Sequence, residues 1–434
     1  MLIGPEECRR VGERVFSLTD ADDAVVNIGH SREALTRIAN NAIVLNVFTE
    51  SRSLQVTVAY GSRKGSASCD SLDDDAVEAA VRRAEEVARV SPPDPEFLPS
   101  LGPQEYVPVQ AWFEKTAALD AEDRARLALR LIAPAKEREL RLAGTVETSE
   151  SAQCVMTKNG AFGYHPRTDA QIGCTVTAPD SSGWARDVTV DIDRIDPEKL
   201  GQAAVEQALK SASPRPLEPG RYDVVLMPAA SGHLAEYLVW WADARTTLEG
   251  LTYLSDRFGQ KLCGDEITIY SDPSDSRLPS CPFDGQGLPR RREVWIDKGV
   301  FGQMVWDRWT AAQNGREPVA RPGSTIMEGT DKTAADLIRT VERGVLVTHF
   351  WYVRSVKADE TLVTGMTRDG TFLIEDGEIV GGVRNMRWND SCLGMLQRTV
   401  AIGKPGSCAD VELMPSLYPP IVVKDWNFVA TTDF

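Results

Sequence analysis

A proline- and glycine-rich segment, SPRPLEPG at residues 213–220, divides this chain into two parts with different sequence patterns. Dense proline and glycine are typical of a linker, because neither residue suits the interior of a helix or a strand. Eight of the ten tryptophans lie after residue 220, whereas helical periodicity lies mostly before it. Since 434 residues are enough for two or three separate cores, we predict two domains, at residues 1–215 and 216–434.

Strand patterns open the first domain. The β-rich runs at residues 33–48 and 53–69 are separated by a short polar stretch, which predicts a turn between them. A further β-rich run, at residues 140–160, ends in Asn159-Gly160, a dipeptide typical of a two-residue hairpin turn. We therefore expect a hairpin at this point of the chain.

Helical patterns alternate with these strands. Residues 71–90 carry apolar side chains at helical spacing and acids in the first turn, and the sequence SPPDP ends the pattern. Two more helices that start with acids are predicted at about 120–139 and at 196–212. Strands and helices together predict an α/β first domain.

The second domain is predicted to be mostly β. The segment at residues 370–388 has β-rich stretches on both sides of Asp376-Gly377, which is a tight-turn dipeptide. Short strands joined by such turns are typical of a β-sandwich or a barrel. The predicted fold class is therefore α+β, with an α/β amino-terminal domain followed by a mostly β, barrel-like carboxy-terminal domain.

The charge and the apolar runs restrict the partners that we expect. A net charge of −16, with an isoelectric point near 4.9, repels phosphate backbones and argues against nucleic-acid binding. No apolar run reaches the roughly 18 residues of a membrane helix, and the amino terminus lacks the apolar core of a signal peptide. The eight cysteines form no CxxC pair, which favours reduced thiols. We therefore expect a cytoplasmic protein that binds neither nucleic acid nor membrane.

One of the four histidines, His233, follows the apolar run YDVVLM and lies within PAASGHLAEYL. A strand that leads into a histidine-bearing helix is a common way to present a metal ligand, and His349 and Cys408 are further candidate ligands in this domain. A catalytic zinc site needs three protein ligands, an open position for water and a general base. Glu236 lies about one helical turn after His233, but this spacing is not HExxH. A buried structural histidine is the simpler interpretation.

Other features leave alternatives open. Ser231 precedes glycine and histidine, but AASGH is not the GxSxG elbow of a serine hydrolase. A thiolate pair of Cys408 and His233 would require the fold to join two distant positions. The loop at residues 272–292 is either a functional or interface-forming loop or a solvated connection. The tryptophans, including WDRW at residues 306–309, either line a peptide groove or fill the core.

An ordered set of stretches carries a family resemblance. In the first half these are LTRIANNAIVLNV and the strand, turn and helix of VAYGSRKGSASCDSLDDDAVEAAVRRAEEVAR. In the second half they are PLEPGRYDVVLMP, ITIYSDP, FDGQGLPRRR, ERGVLVTHFW and GTFLIEDGEIVGGVRN. Together they resemble the TldD/PmbA family over nearly the whole chain. The resemblance implies an α/β first domain, a β-barrel-like second domain and a two-subunit metallopeptidase that encloses a channel and cleaves unfolded peptides.

The resemblance also implies which residues matter. The active subunit of this family resembles a zinc protease, with two histidines of an HExxxH helix and a later cysteine as ligands, whereas the TldE/PmbA-type partner lacks them. Aligned on Ser-Gly-His, His233 takes the place of the second histidine, Pro228 that of the first and Ala229 that of the glutamate. Proline offers no metal donor and alanine no base. The candidates for a relic metal site are His233, Cys408 and His349, and no catalytic residue is assigned.

Three functions are therefore open. The first is a non-catalytic TldE/PmbA-like subunit that holds no metal, pairs with a zinc-bearing TldD-like subunit and shapes a channel for unfolded peptides. The second is an independent metallopeptidase with a rearranged site of His233, Cys408 and His349. The third is a peptide-binding homodimeric scaffold, which only the tryptophan-rich half suggests. The loss of the HExxxH pattern favours the first.

Overall fold

The first half of the chain forms one sheet and the helices that cover it. A computed structural model describes residues 2–409 and 414–432 of the protein. The strands of the first half are β1 (Asp23–Ala39), β2 (Ala42–Tyr60), β3 (Arg63–Cys69), β4 (Arg141–Thr157), β5 (Phe162–Thr177) and β6 (Ser182–Thr189). The helices are α1 (Pro5–Leu18), α2 (Asp74–Val90), α3 (Glu114–Ala117), α4 (Ala121–Glu137) and α5 (Pro197–Lys210), with a 3₁₀ turn at Ile192–Arg194.

The first sheet has the strand order β3-β2-β1-β4-β5-β6, and every neighbouring pair is antiparallel. Val146 and Cys154 are an even number of residues apart on β4, so their side chains lie on the same face. Cys154 belongs to the core made with α1 and α2, and Val146 to the core made with α4 and α5. These four helices therefore cover one face of the sheet, and the predicted α/β first domain is confirmed.

The turn between the first two β-rich runs was misplaced. The run at residues 33–48 is not one strand, because it reverses at Asn40 and Asn41, whose φ angles of 49° and 62° suit a tight hairpin turn. The polar stretch at residues 49–52 is not a turn but the middle of β2, which is exposed along this part. Polar residues there suit a strand in solvent, and this is why the pattern was misleading.

The helices predicted from caps and periodicity agree with the structure to within about three residues, namely as α2, α4 and α5. The hairpin predicted at residues 140–160 exists, but its two arms are longer than expected. Residues 141–157 are the single strand β4, and the turn at Asn159-Gly160 joins it to β5. Helix α1 was not predicted.

The second half contains many short elements. Its strands are β7 (Gly220–Leu226), β8 (Ile269–Ser271), β9 (Glu293–Asp297), β10 (Val300–Phe301), β11 (Thr325–Met327), β12 (Arg343–Lys357), β13 (Leu362–Glu375), β14 (Glu378–Gly382), β15 (Met386–Ser391), β16 (Thr399–Ile402), β17 (Gly406–Ser407), β18 (Ser416–Tyr418) and β19 (Ile421–Thr431). Its helices are α6 (Pro228–Trp241), α7 (Ala244–Leu248), α8 (Arg308–Gln313), α9 (Ala334–Ile338) and α10 (Cys392–Gln397).

Five of these strands close into a barrel. Their order is β12-β7-β19-β15-β13, and β13 also pairs with β12, which completes the ring. Strands β12 and β7 are parallel, and the other neighbours in the ring are antiparallel. A smaller sheet, of order β10-β9-β8-β11-β18-β17, accompanies the barrel. The predicted mostly β, barrel-like second domain is confirmed.

Four of the eight tryptophans after residue 220 fill the core of the second half. Trp388 and Trp426 are fully buried, and their rings lie 4.5 Å and 5.8 Å from the ring of Phe350, measured between centroids. Trp295 and Trp306 are buried as well. Core filling is thus the correct interpretation for these four.

The loop at residues 272–292 lies between the two halves of the molecule. Phe283 is buried and packs against Gly163 of β5, on the face of the first sheet that the helices leave uncovered. The Tyr106 hydroxyl donates to the carbonyl oxygen of Gly287 at 2.8 Å, and Arg194 donates to that of Ser276 at 2.9 Å. The loop is therefore interface-forming rather than a solvated connection. No helix in the described part of the chain is long and apolar enough to cross a membrane.

Candidate functional site

Helix α6 carries the candidate histidine. It follows β7 after a single residue, as the sequence predicted, and it begins with Pro228. Proline suits the first position of a helix because the backbone N–H that it lacks would have no partner inside the helix. Residues 229–236 are all buried, so the helix has no polar face and no simple periodicity. This explains why the sequence indicated helical structure here only weakly.

His233 is buried in the second turn of this helix. Its side chain is 4% exposed, and its ring is stacked on that of Tyr237, with 6.2 Å between the centroids and 11° between the planes. His349, on β12, is close enough for the two imidazoles to interact electrostatically. The fold thus brings together two of the candidates that sequence alone could not join.

His349 is held as a neutral imidazole. Burial lowers the pKa of His349 to about 4, and the nearby charges of Arg368 and His233 lower it further, whereas Asp369 opposes them. Its Nε2 lies 3.7 Å from Asp369 Oδ2, and its ring lies 4.4 Å from that of Trp184 on β6. This histidine therefore contacts the first domain as well as the barrel.

Cys408 lies against the first turns of α6. Its thiol donates a hydrogen bond to the carbonyl oxygen of Pro228, with 3.0 Å between sulfur and oxygen. The approach depends on Gly232, because a Cβ atom at this position would collide with Cys408 Sγ. Burial, and then the neighbouring Glu236, raise the pKa of the Cys408 thiol well above its usual value. The thiolate that a zinc site requires is therefore disfavoured here.

Glu236 completes the buried group. It has no solvent-exposed surface, and burial raises the pKa of its carboxyl well above the usual value. The backbone N–H of Met414 donates to its Oε2 at 3.4 Å, while Oε1 has no hydrogen-bond partner among the described residues. Burial of the carboxyl therefore favours its protonated form, while the Ser416 side chain and the Met414 N–H oppose this shift. The sequence indicated the position of Glu236 but not its burial.

The candidate residues do not form a three-ligand metal centre. Among the residues that the structure describes, no group of three or more histidines, cysteines, aspartates or glutamates is close enough to hold a metal ion. His233, His349 and Cys408 are all within the described part of the chain, so they do not converge as ligands. The residues present here do not fit a catalytic zinc ion.

The hydroxyl of Ser231 is bonded to the backbone. Its hydroxyl donates to the carbonyl oxygen of Pro419 at 2.7 Å and lies 3.3 Å from that of Pro228. The side chain is buried and its hydrogen is committed to the backbone. This arrangement does not suit a nucleophile.

A cleft opens next to this buried group. A cavity of about 500 Å³ lies between strands β5 and β6 of the first sheet and the second domain, and Cys408 forms part of its wall. Three arginines line it: Arg167, Arg186 and Arg277. Asp169 pairs with Arg167, at a shortest distance of 2.6 Å, and fixes its orientation. Cys408 is therefore at the edge of a cleft between the two halves of the chain.

Models of one protein family match three successive parts of the chain. Residues 24–88 match PmbA/TldA metallopeptidase domain 1, residues 114–212 match its central domain, and residues 219–429 match its C-terminal domain.

Individual relatives are distant in sequence. A metalloprotease of Methanothermobacter thermautotrophicus is 26% identical over 230 residues, which are 49% of each chain, so the match spans about half of that relative. The metalloprotease PmbA of Escherichia coli O157:H7 is 23% identical over 374 residues, which are 82% of each chain. Among solved structures, TldE of Thermococcus kodakarensis has a TM-score of 0.87 at 19% identity, over 98% of this chain and 99% of TldE. This likeness shows that the fold is shared over its full length.

Proposed function

Because the chain belongs to the PmbA/TldD metallopeptidase family, we propose that it is the non-catalytic, TldE/PmbA-like subunit of a two-subunit peptidase. It pairs with a metal-bearing, TldD-like subunit, shapes the channel that admits unfolded peptides, and holds no catalytic metal itself. The zinc ion belongs to the partner.

One observation carries this proposal. Helix α6 begins with Pro228 and Ala229. When the chain is aligned with the family's HExxxH pattern on Ser-Gly-His, these two residues take the places of the first histidine and the glutamate. A pyrrolidine ring offers no lone pair for a metal, and a methyl group cannot accept a proton from water. One ligand and the general base are thus lost together, so the step that activates water has no residue to perform it.

The surroundings of α6 support the same proposal. The Cys408 thiol is buried and hydrogen-bonded to the backbone rather than available as a thiolate. Glu236 is buried, and its raised pKa disfavours the carboxylate that a general base requires. Helix α6 is therefore present in the fold, but the thiolate ligand and the general base that zinc-dependent hydrolysis needs are not available beside it.

The cleft beside α6 supports a role in binding peptide. It lies between the domains, and it combines apolar side chains such as Val188 and Leu278 with the guanidinium groups of Arg167 and Arg277. A cleft lined in this way suits an extended peptide. Its apolar side chains can contact the side chains of the peptide, and the guanidinium groups can donate hydrogen bonds to the peptide's carbonyl oxygens.

Reconstitution tests the proposal. A family member encoded with this chain that carries an intact HExxxH should form a stable one-to-one complex with it, and cleavage of an unfolded peptide should require both chains. Within that complex, His233→Gln should leave cleavage unchanged, whereas replacement of the partner's HExxxH glutamate should abolish it. If the two chains stay apart at micromolar concentrations, the proposal is wrong.

Metal analysis separates this proposal from a rearranged metallopeptidase. Chelator-free protein should contain only background zinc or iron, and the same background after His233→Ala. Near-stoichiometric metal that is lost in the variant would instead support an independent metal site.

A further inference from the structure

The face of the first sheet that the helices leave uncovered carries a groove. Gln171 of β5 belongs to this face, because its neighbour Ile172 packs in the core made with α4 and α5 on the other side. One part of the groove is the cleft of about 500 Å³ beside Cys408. A second cavity, of about 480 Å³, adjoins it, since Gln171 and Val188 line both. We call the two cavities together the sheet groove.

A row of directly paired residues crosses the sheet along this groove. It takes one residue from each of β2, β1, β4, β5 and β6, namely Val47, Leu35, Glu147, Gln171 and Val188. Every member of the row lines the second cavity. Neighbouring strands lie about 4.8 Å apart, so the row is roughly 19 Å long. Since an extended chain advances about 3.3 Å per residue, a segment of about six residues fits along it.

The end of the sheet groove beside the second domain is lined by arginines. Arg186 lies across the sheet, because its partner on β5 is Gly173, where a Cβ atom would collide with Arg186 Cγ. Arg277 uses Nε and Nη2 to hold Asp275, whereas its Nη1 has no partner among the described residues. The Arg277 side chain is 52% exposed, so this nitrogen can donate to a ligand. Guanidinium groups bind carboxylates through such charge-assisted hydrogen bonds.

The other end of the sheet groove is lined by acids. The side chains of Glu33 and Glu147 make no ion pair or hydrogen bond within the part of the chain that the structure describes. Glu33 is paired with Ser149, two residues from Glu147, so the two carboxylates are diagonal neighbours on adjacent strands. A third acid of this end, Asp169, is neutralised by Arg167. The two unpaired carboxylates therefore attract a cation to this end.

The two charged ends are separated by a distance that a short peptide spans. Glu147 is two strands away from Arg186 in the sheet, and Glu33 is three strands away. With the offsets along the strands, these backbone positions lie roughly 12 Å and 20 Å from that of Arg186. Gln171 and Val188, which line the groove between them, are uncharged. An extended chain covers these distances in about four to six residues.

We propose that the sheet groove selects extended peptides whose opposite charges are separated. A carboxylate binds at Arg186 and Arg277, and a lysine, an arginine or a terminal amine binds at Glu33 and Glu147, about four to six residues away. The carboxylate is that of an aspartate, a glutamate or the C terminus. Since the net charge of −16 repels carboxylates from the molecule as a whole, the arginines provide a local site for them. This inference rests on the proposed function, in which the ligand is an unfolded peptide, and adds which peptides are preferred.

Synthetic peptides test this preference on the full chain without a partner. A bipolar peptide carries two lysines at one end, an uncharged middle and two aspartates at the other end. A scrambled peptide has the same residues, with lysines and aspartates alternating. Because exposed ion pairs are individually weak, the bipolar peptide should bind about fivefold more tightly. Fluorescence anisotropy gives the dissociation constants, and ~0.5 M salt should remove the difference.

Two further peptides separate the sources of the carboxylate. One has aspartates and an amidated C terminus, and the other has a free C terminus and no aspartate, while both keep the lysines at the opposite end. Tighter binding of either one than of a peptide without any carboxylate supports the proposal. Equal binding of all three contradicts it.

Reversing the charge of one end should reverse the preference. Glu33→Lys with Glu147→Lys leaves both ends positive, so an all-acidic peptide should bind about fivefold more tightly than the bipolar one. The matched control is Glu13→Lys with Glu86→Lys, which makes the same change at exposed glutamates of α1 and α2 and should keep the wild-type preference. A groove variant that still prefers the bipolar peptide would contradict the proposal.

Arg277 tests the other end. Arg277→Gln should reduce the preference for the bipolar over the scrambled peptide, whereas Arg277→Lys keeps the charge and should retain most of it. Equal preferences in Arg277→Gln and the wild type would show that this end does not bind the carboxylate.

The failure of this inference is distinguishable from that of the proposed function. If the chain supports cleavage in the complex but binds bipolar and scrambled peptides equally, the preference is wrong and the proposed function stands. If the chain prefers bipolar peptides but forms no complex with a metal-bearing subunit, the proposed function is wrong and the preference stands.

Discussion

The Cys408 thiol donates a hydrogen bond to the carbonyl oxygen of Pro228 at 3.0 Å, although 180 residues separate the two in sequence. Under the proposed function, Cys408 and Pro228 stand near the places of the ligand cysteine and the first ligand histidine of the family's active subunit, so this contact joins two former ligand positions. The fold therefore brings two distant parts of the chain into contact at the start of α6.

Restoring two side chains should restore metal binding. In a Pro228→His, Ala229→Glu variant, the new imidazole would lie near Cys408 and His233, which would give three donors of the types that zinc prefers. We expect near-stoichiometric zinc in this variant, measured by elemental analysis, and background zinc in the wild type. Adding Cys408→Ser should remove the zinc again. Wild-type levels of metal in the double variant would show that Cys408 and His233 are not placed as ligands.

Gly232 should be intolerant of even a methyl group. A Cβ atom there would overlap Cys408 Sγ and press on Tyr418, and overpacking of this kind costs about 1–3 kcal/mol. The higher helix propensity of alanine returns at most about 1 kcal/mol. Gly232→Ala should therefore lower the free energy of unfolding, measured with urea. When Cys408 is replaced by alanine, Gly232→Ala should lower the free energy of unfolding by a smaller amount. An equal decrease with and without Cys408→Ala would show that the sulfur does not contact this position.

Glu236 should destabilise the fold as the pH rises. Burial raises the pKa of its carboxyl in the folded state, so the folded protein keeps a proton that the unfolded chain releases above about pH 4.5. The contribution of this carboxyl to the free energy of unfolding is largest below that pH. It decreases at higher pH, by up to about 1.4 kcal/mol per pH unit, until the folded-state pKa is reached. Glu236→Gln should therefore be more stable than wild type at pH 8, with the difference closing towards pH 4.5.

Urea unfolding at several pH values checks this prediction. The matched control is Glu249→Gln, which makes the same change at an exposed glutamate and should give no pH-dependent difference. A Glu236→Gln variant with a pH-independent effect would show that the carboxyl is ionised in the folded protein.

His349 should destabilise the fold as the pH falls. Burial lowers the pKa of this imidazole to about 4 in the folded state, below the usual value of 6.5. The unfolded chain then binds a proton that the folded protein excludes, so stability is complete above pH 6.5 and declines between pH 6.5 and about pH 4. The shift corresponds to about 3 kcal/mol. An NMR titration of the ring should show a neutral imidazole at pH 5, and protonation near pH 6.5 would contradict this.

Local signals were enough to predict much of the first domain. Helices α2 and α5 were predicted from acids in the first turn and from apolar spacing, because capping and burial of one face act within a few residues. The Asn40-Asn41 turn was missed because apolar runs continue on both sides of it. Residues 49–52 were taken for a turn because an edge strand in water tolerates the same polar residues that turns contain.

The site could be predicted only in part. The strand and helix around His233 were evident, but the proximity of Cys408 depends on β17 and β18, which place residues 406–407 and 416–418 alongside α6. The raised pKa of Glu236 depends on burial from all sides. Neither depends on neighbouring residues in the sequence, so no local pattern could reveal them.

The loop at residues 272–292 limits which substitutions and domain exchanges this molecule can tolerate. It lies on the face of the first sheet that the helices leave bare, and its Phe283 fits where β5 has Gly163 in place of a side chain. The contacting surfaces of the two domains are therefore complementary, so neither domain can be exchanged on its own. A chimaera that joins this first domain to the second domain of a distant relative would need matching substitutions on both sides of the contact. We expect substitutions on one side to be accompanied by substitutions on the other as the sequence diverges.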